Sequence, residues 1–162
     1  MERIALMRLA LVLLFASCTL AFADEPVVLT MVPNSRAGCG PAKLDFARVR
    51  PDGTVSPDMF RIPTGQILIV NDVDWTFNGG AAGITKALVI YAENLTEATT
   101  RQAVFRSPVR LNGDGAGGAS EHLSSGFPIS SAARACPEVE YGPMASPLRL
   151  LSVILRGRLV PE

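Results

Sequence analysis

The sequence predicts an all-β protein, a single domain of about eight to ten short strands in a sandwich or barrel. Three observations predict it. From residue 24 onward, Gly, Pro, Asn or Asp interrupts the chain roughly every 8–15 residues, and runs rich in Val, Ile, Leu and Phe lie between them. No segment sustains a 3.6-residue apolar period beyond about two turns. Two widely spaced cysteines, Cys39 and Cys136, follow a secretory leader.

The elements follow in order. Val27–Val32 reads as a first strand. Lys43–Arg50 sets Leu44 and Phe46 against Asp45 and ends at the turn Pro51-Asp52-Gly53. Met59–Ile62 is a short strand stopped by Pro63-Thr64-Gly65. Gln66–Phe77 is the clearest strand, with Ile67, Ile69, Val73, Trp75 and Phe77 on one face and Leu68, Val70, Asp72 and Asp74 on the other. Asn78-Gly79-Gly80 turns the chain into Ile84–Ala92. Asn94–Thr100 is expected to form one helical turn. Gln102–Leu111 alternates again, and Pro108 marks it as an edge strand or a bulged one. The Gly-rich piece 112–118 is expected to be a flexible loop. Ala119–Ser124 and Phe127–Cys136 are two weaker strands around Gly126, and Leu148–Val160 is the terminal strand.

Residues 1–23 carry the marks of a signal peptide: Arg3 and Arg8, the apolar run Leu9–Phe15, then Ala21-Phe22-Ala23 as the cleavage triplet. The chain therefore divides into a signal, 1–23, and one domain, 24–162. The expected destination is the periplasm or the extracellular space. The alternative is a lipoprotein anchored through Cys18, with Phe15-Ala16-Ser17-Cys18 as an imperfect lipobox. No later segment is long and apolar enough to span a bilayer as a helix. Removing Arg3, Arg8 and Glu2 from 15 basic and 15 acidic side chains leaves a net charge of about −1. That argues against nucleic acid as a partner, since such binding wants a basic face.

In an oxidising compartment the two remaining cysteines are expected to pair. A disulfide between Cys39 and Cys136 would close a loop of about 100 residues, worth at most about 4–5 kcal/mol by chain entropy. That is a large share of the 5–15 kcal/mol by which domains are usually stable. A zinc site needs three or four ligands, and the chain has a single histidine, His122. There is no C-x-x-C redox pair. No cofactor is expected.

Few residues carry chemistry. Asp72 and Asp74, at i and i+2, share a strand face and offer hard oxygen ligands to Ca²⁺, with Asp114 or Glu121 as partners. The alternation of a half-exposed strand accounts for them without a metal, and no metal site is assigned. His122 lies among Ser120, Ser124 and Ser125, the residue types of a serine hydrolase, but no G-x-S-x-G elbow accompanies it. Asp72, Asp74, Glu93 and Glu121 could supply paired carboxylates for glycoside cleavage. Trp75 shares a face with apolar residues and is expected in the core. Tyr141, in Glu140-Tyr141-Gly142-Pro143, is the better placed aromatic ligand contact. Asn94-Leu95-Thr96 is a glycosylation sequon, relevant only in a eukaryotic host.

The stretch Phe60-Arg61-Ile62-Pro63-Thr64-Gly65-Gln66-Ile67-Leu68-Ile69-Val70 resembles a pattern in small bacterial secreted β-sandwiches of jelly-roll type. There a short strand ends in Pro-x-Gly and leads into a long buried one. Glu121–Pro128 and Val153–Val160 are compatible with those proteins. The resemblance implies a single antiparallel β-sandwich of jelly-roll type and no functional residue.

The functional expectation is a non-catalytic binding module of the envelope or extracellular space. Its ligand would be a glycan or a protein, met by the 112–118 loop with Asp114 and the 137–147 loop with Tyr141. The alternatives are a secreted hydrolase using His122 or the Asp72/Asp74 pair, and a self-associating structural subunit forming a homo-oligomer.

Overall fold

The computed structural model describes residues 24–40, 42–97, 100–140 and 149–162. The predicted leader, Cys18, Tyr141 and residues 141–147 of the predicted contact loop lie outside the described residues. The described chain folds into β1 (Glu25–Pro33), β2 (Leu44–Val49), β3 (Val55–Met59), β4 (Gln66–Asn78), β5 (Thr85–Asn94), β6 (Arg101–Arg110), β7 (Gly117–Ser130), β8 (Ala133–Val139) and β9 (Arg149–Pro161). Two antiparallel sheets result, ordered β3-β2-β1-β9-β4-β7 and β6-β5-β8. Setting β2 and β3 aside, β1-β9-β4-β7 over β8-β5-β6 is the nested strand order of a jelly roll. Here β2 and β3 extend the larger sheet beyond β1 instead of joining β8.

Between the sheets lies a core of Val27, Leu29, Phe46, Leu68, Val70, Val73, Trp75, Phe77, Leu88, Ile90, Ile129, Val153 and Leu155. It follows from the period of two: Val27 and Leu29 point inward, as do Val153, Leu155 and Leu159, while Ile154 and Arg156 point out. Trp75, predicted to be in the core, is 1% exposed and stacks on Phe77 at 5.8 Å. Its indole N–H donates to Ser107 Oγ at 3.0 Å, and the Ser107 hydroxyl donates to Glu121 Oε1 at 2.9 Å. A buried N–H is thereby satisfied across the two sheets.

The face assignment of the central strand needs correction. The residues of β4 that point inward are Leu68, Val70, Val73, Trp75 and Phe77. Thus Ile67 and Ile69 are not on the Trp75 face, nor Leu68 and Val70 on that of Asp72. The cause is a bulge at Asn71. Against β9 the pairing shifts by one residue between Val70↔Gly157 and Asp72↔Arg156; against β7 it shifts by three between Val70↔Phe127 and Asp72↔His122, with residues 123–126 of β7 opposite Asn71. One extra residue inverts the phase of all that follow. Glycines flank the bulge on both neighbouring strands. Gly126 takes a positive φ of 66°, and a Cβ there would stand 2.7 Å from the Val70 carbonyl oxygen. At Gly157 a Cβ would stand 2.0 Å from the Ile69 carbonyl oxygen.

Other departures have local causes. The strand expected at Ala119–Ser124 runs on through Gly126 to Ser130 as one long strand, β7, because the positive-φ glycine absorbs the irregularity inside the ladder; the one expected at Phe127–Cys136 is divided by a turn at Ser131-Ala132, and its second half opens β8. The strand expected at Met59–Ile62 is β3, four residues earlier: at the sheet edge Pro57 costs no ladder bond. Asn94–Glu97 is an Asx turn, not a helical one: Asn94 Oδ1 accepts the N–H groups of Thr96 (2.8 Å) and Glu97 (3.1 Å). The loop expected to be flexible is fixed in the same way. Asn112 Oδ1 accepts from Asp114 N and Ala116 N, and Gly80 N donates to the Gly115 carbonyl at 3.0 Å.

Cys39 and Cys136 form the expected disulfide, across 97 residues with Cα atoms 5.5 Å apart. Cys136 alternates with the core residues Ala133 and Ala135 and so faces the other side of β8. The β1–β2 loop covers that side, and the disulfide therefore ties the larger sheet to the smaller.

A Gly157→Ala substitution is expected to destabilise the protein by about 3 kcal/mol, because the new methyl meets a backbone carbonyl that central pairing holds in place. Gly113→Ala, where a Cβ meets nothing within 4 Å, should stay within about 0.5 kcal/mol. Urea denaturation of both variants checks the pair.

Candidate functional site

Two polar constellations stand out, one on the outer face of the six-stranded sheet and one beneath the β1–β2 loop. The first is a product of the Asn71 bulge. It turns Asp72, Asp74 and Thr76 outward together, and the ladder sets neighbours beside each. Asp72 lies between His122 of β7 and Arg156 of β9, Asp74 between Ser120 and Ile154, and Thr76 between Gly118 and Ser152. His122 Nδ1 and Asp72 Oδ1 are 2.7 Å apart. The Ser120 hydroxyl donates to Asp74 Oδ1, and the Arg156 guanidinium donates to Asp74 Oδ2. Thr76 and Ser152 share a hydroxyl–hydroxyl bond of 2.8 Å. Above this grid, Asn71 donates to the Leu123 carbonyl and accepts from Arg158. Gly118 leaves a shallow depression beside Thr76, Asp74, Ser120 and Ser152, since a Cβ there would stand 2.3 Å from the Trp75 carbonyl oxygen.

The electrostatics favour ionised Asp74. Ser120's hydrogen bond, and after it Arg156's, hold its carboxyl below the ordinary carboxylate range. On the smaller sheet the Arg106 guanidinium, bonded twice to Glu140, does the same for that carboxyl.

The predicted residues are partly brought together. Asp72 and Asp74 share a face, as expected, and His122 and Ser120 join them from β7. They do not form the constellations first considered. Among the described residues His122 has Asp72 as its one hydrogen-bond partner, while Ser120 is turned to Asp74, so no hydroxyl stands against the imidazole. Glu121, suggested as a further ligand for a cation, points to the opposite face and meets Ser107. Asp114 is exposed in the Asn112 turn, away from both aspartates. Ser120 and Arg156 occupy both carboxylate oxygens of Asp74, which makes the pair a poor seat for Ca²⁺. Tyr91 is covered by the Arg101 guanidinium, 4.4 Å from its ring centroid.

The second constellation is one that sequence reasoning missed. Asp45, 1% exposed, takes a two-point bond from Arg61 (2.9 and 3.1 Å) and one from Asn34 (3.1 Å). Arg134 lies 4.0 Å from the same carboxylate, bonds the buried Glu93 through Nε and Nη2, and donates Nη1 to the Ala37 carbonyl of the β1–β2 loop. Two carboxylates and two guanidinium groups make the quartet neutral, which is how a protein tolerates charge out of water. The disulfide lies against it, with Cys39 and Cys136 2% and 0% exposed. The four charges come from four separate elements, so no local pattern announces them.

Two predictions follow from these geometries. Arg134→Ala should cost about 3–5 kcal/mol, because it strands Glu93 and crowds Asp45 with one guanidinium only. Arg61→Ala should cost less: its side chain is 38% exposed, and water can replace it. Equal losses in chemical denaturation would refute the buried pairing. The other concerns Asp74. Its folded value lies below the 3.8 of the free side chain, so its contribution is complete above that value. As pH falls through the lowered folded value, that contribution disappears. The stability gap between wild type and Asp74→Asn, below about 1 kcal/mol for an exposed pair, should therefore be constant near neutrality and close in acid; thermal unfolding from pH 7 to pH 2.5 measures it.

No protein-family model matches this chain, and no curated protein matches it, so what the site does has to follow from its own chemistry.

Proposed function

We propose that this chain is an exported, non-catalytic binding module of the bacterial envelope or extracellular space. It presents the strip Asp72, Asp74, Thr76, Ser120, His122, Ser152 and Arg156 to a glycan or a protein. The observation that carries this reading is the grid itself. Three adjacent strands hold hydroxyl, carboxylate, imidazole and guanidinium groups in fixed register around a depression over Gly118. Such a face offers donors and acceptors in alternation to a hydroxyl-rich or mixed-charge surface, and a rigid sheet loses little entropy on binding. Export is supported by the disulfide, which persists in oxidising compartments.

A hydrolase is the rival reading, and the contact at 2.7 Å between His122 and Asp72 favours it. Against it stands the orientation of Ser120, which spends its hydroxyl proton on Asp74.

The test is a glycan array, with pull-down from envelope extracts in parallel, using the exported protein and an Asp72→Ala/Asp74→Ala/His122→Ala variant. The variant should retain near-UV circular dichroism from Trp75 and lose binding at least about tenfold, equivalent to about 1.4 kcal/mol. Binding unchanged in the variant would overturn the assignment of the strip. Hydrolysis by the wild type that His122→Ala alone abolishes would overturn the non-catalytic reading.

A further inference from the structure

We propose that Cys39, Cys136 and Glu93 constitute a latent metal site, which reduction of the disulfide opens to one divalent zinc-class cation. Among the described residues, their sulfur and carboxylate atoms are the only three from His, Cys, Asp or Glu that lie within 4.8 Å of one another. All three are buried. Glu93 and Cys136 come from the paired strands β5 and β8, while Cys39 is brought in by the β1–β2 loop. That loop is itself fixed by the Cys39↔Leu44 bridge and the bond from Arg134 to Ala37.

A dithiol reductant is oxidised to its own disulfide while the Cys39–Cys136 bond breaks, and each sulfur takes up one proton. Binding of the cation expels both protons, leaving two thiolates and one carboxylate oxygen as ligands. Those ligands bring three negative charges, and the cation with Arg134 brings three positive, so the buried cluster remains neutral. Without a metal, reduction leaves two thiols beside a carboxylate in a dry site. Both Arg134 bonds fall on Glu93 Oε1, which leaves Oε2 for the cation and holds the carboxylate in orientation.

The dimensions suit zinc. Tetrahedral ligation at about 2.3 Å places two thiolates about 3.8 Å apart. Side chains whose Cα atoms are 5.5 Å apart reach that separation by rotation about Cα–Cβ. Three protein ligands leave the fourth position for water.

The test is anaerobic titration of the reduced, desalted protein with Co²⁺. The expected result is a thiolate-to-cobalt charge-transfer band that saturates at one equivalent, gives way to Zn²⁺, and is absent in Cys39→Ser. Glu93→Gln should weaken the affinity about tenfold or more. X-ray absorption of the zinc-loaded wild type should show two sulfur neighbours with oxygen completing the shell, and it decides the matter if Glu93→Gln does not fold. Absence of the band in the reduced protein would overturn the site. So would saturation at half an equivalent with four sulfur neighbours, which signifies thiols shared between two copies.

Discussion

The single extra residue at Asn71 is the constraint on which the rest of this structure depends. β4 runs between β9 and β7, second from the edge of the larger sheet, so its phase decides which of its side chains meet the core and which stand among the outward residues of both neighbours. Before the bulge the outward positions are apolar, Ile67 and Ile69; after it they are Asp72, Asp74 and Thr76. Without the shift Asp72 and Asp74 would face Trp75's neighbours across the sandwich, an untenable burial of two carboxylates. The bulge therefore does two things at once: it keeps Val73, Trp75 and Phe77 in the core and it creates the polar grid. Gly126 and Gly157 accommodate it from either side.

The second organising element is the covalent and ionic knot under the β1–β2 loop. The disulfide and the Asp45–Arg61–Arg134–Glu93 quartet are adjacent, and each fixes the other's setting. The disulfide restricts the unfolded chain, while the quartet mainly enforces specificity: buried charges are stable in one arrangement only. The smaller sheet gains further definition from Arg106–Glu140 and Arg101–Glu138, which cross β5 from its two neighbours.

Much of this was legible in the sequence because period-two alternation is a local signal. It located β1, β2, β5, β6 and β9 within a few residues, identified β4 as the clearest strand, and placed Trp75 in the core. Pairing of Cys39 with Cys136 followed from compartment and count. What escaped was non-local. The phase change at Asn71 is written in Gly126 and Gly157, more than 50 residues away, and only pairing brings them beside it. Glu93, Arg134, Asp45 and Arg61 read singly as ordinary strand polar residues; their convergence belongs to the packing of two sheets. The contact of His122 with Asp72 likewise required the register of β7 on β4.

The nesting of strands has a consequence for the order of assembly. β1 has β9 as its inner neighbour, and Cys39 waits for a partner 97 positions later. The two parts of the large sheet, β3-β2-β1 and β4-β7, cannot join until the last strand has emerged between them, so completion of the fold is a whole-chain event of high contact order. A polypeptide of this kind stays threadable for as long as its end is missing, a property in keeping with the export proposed for it.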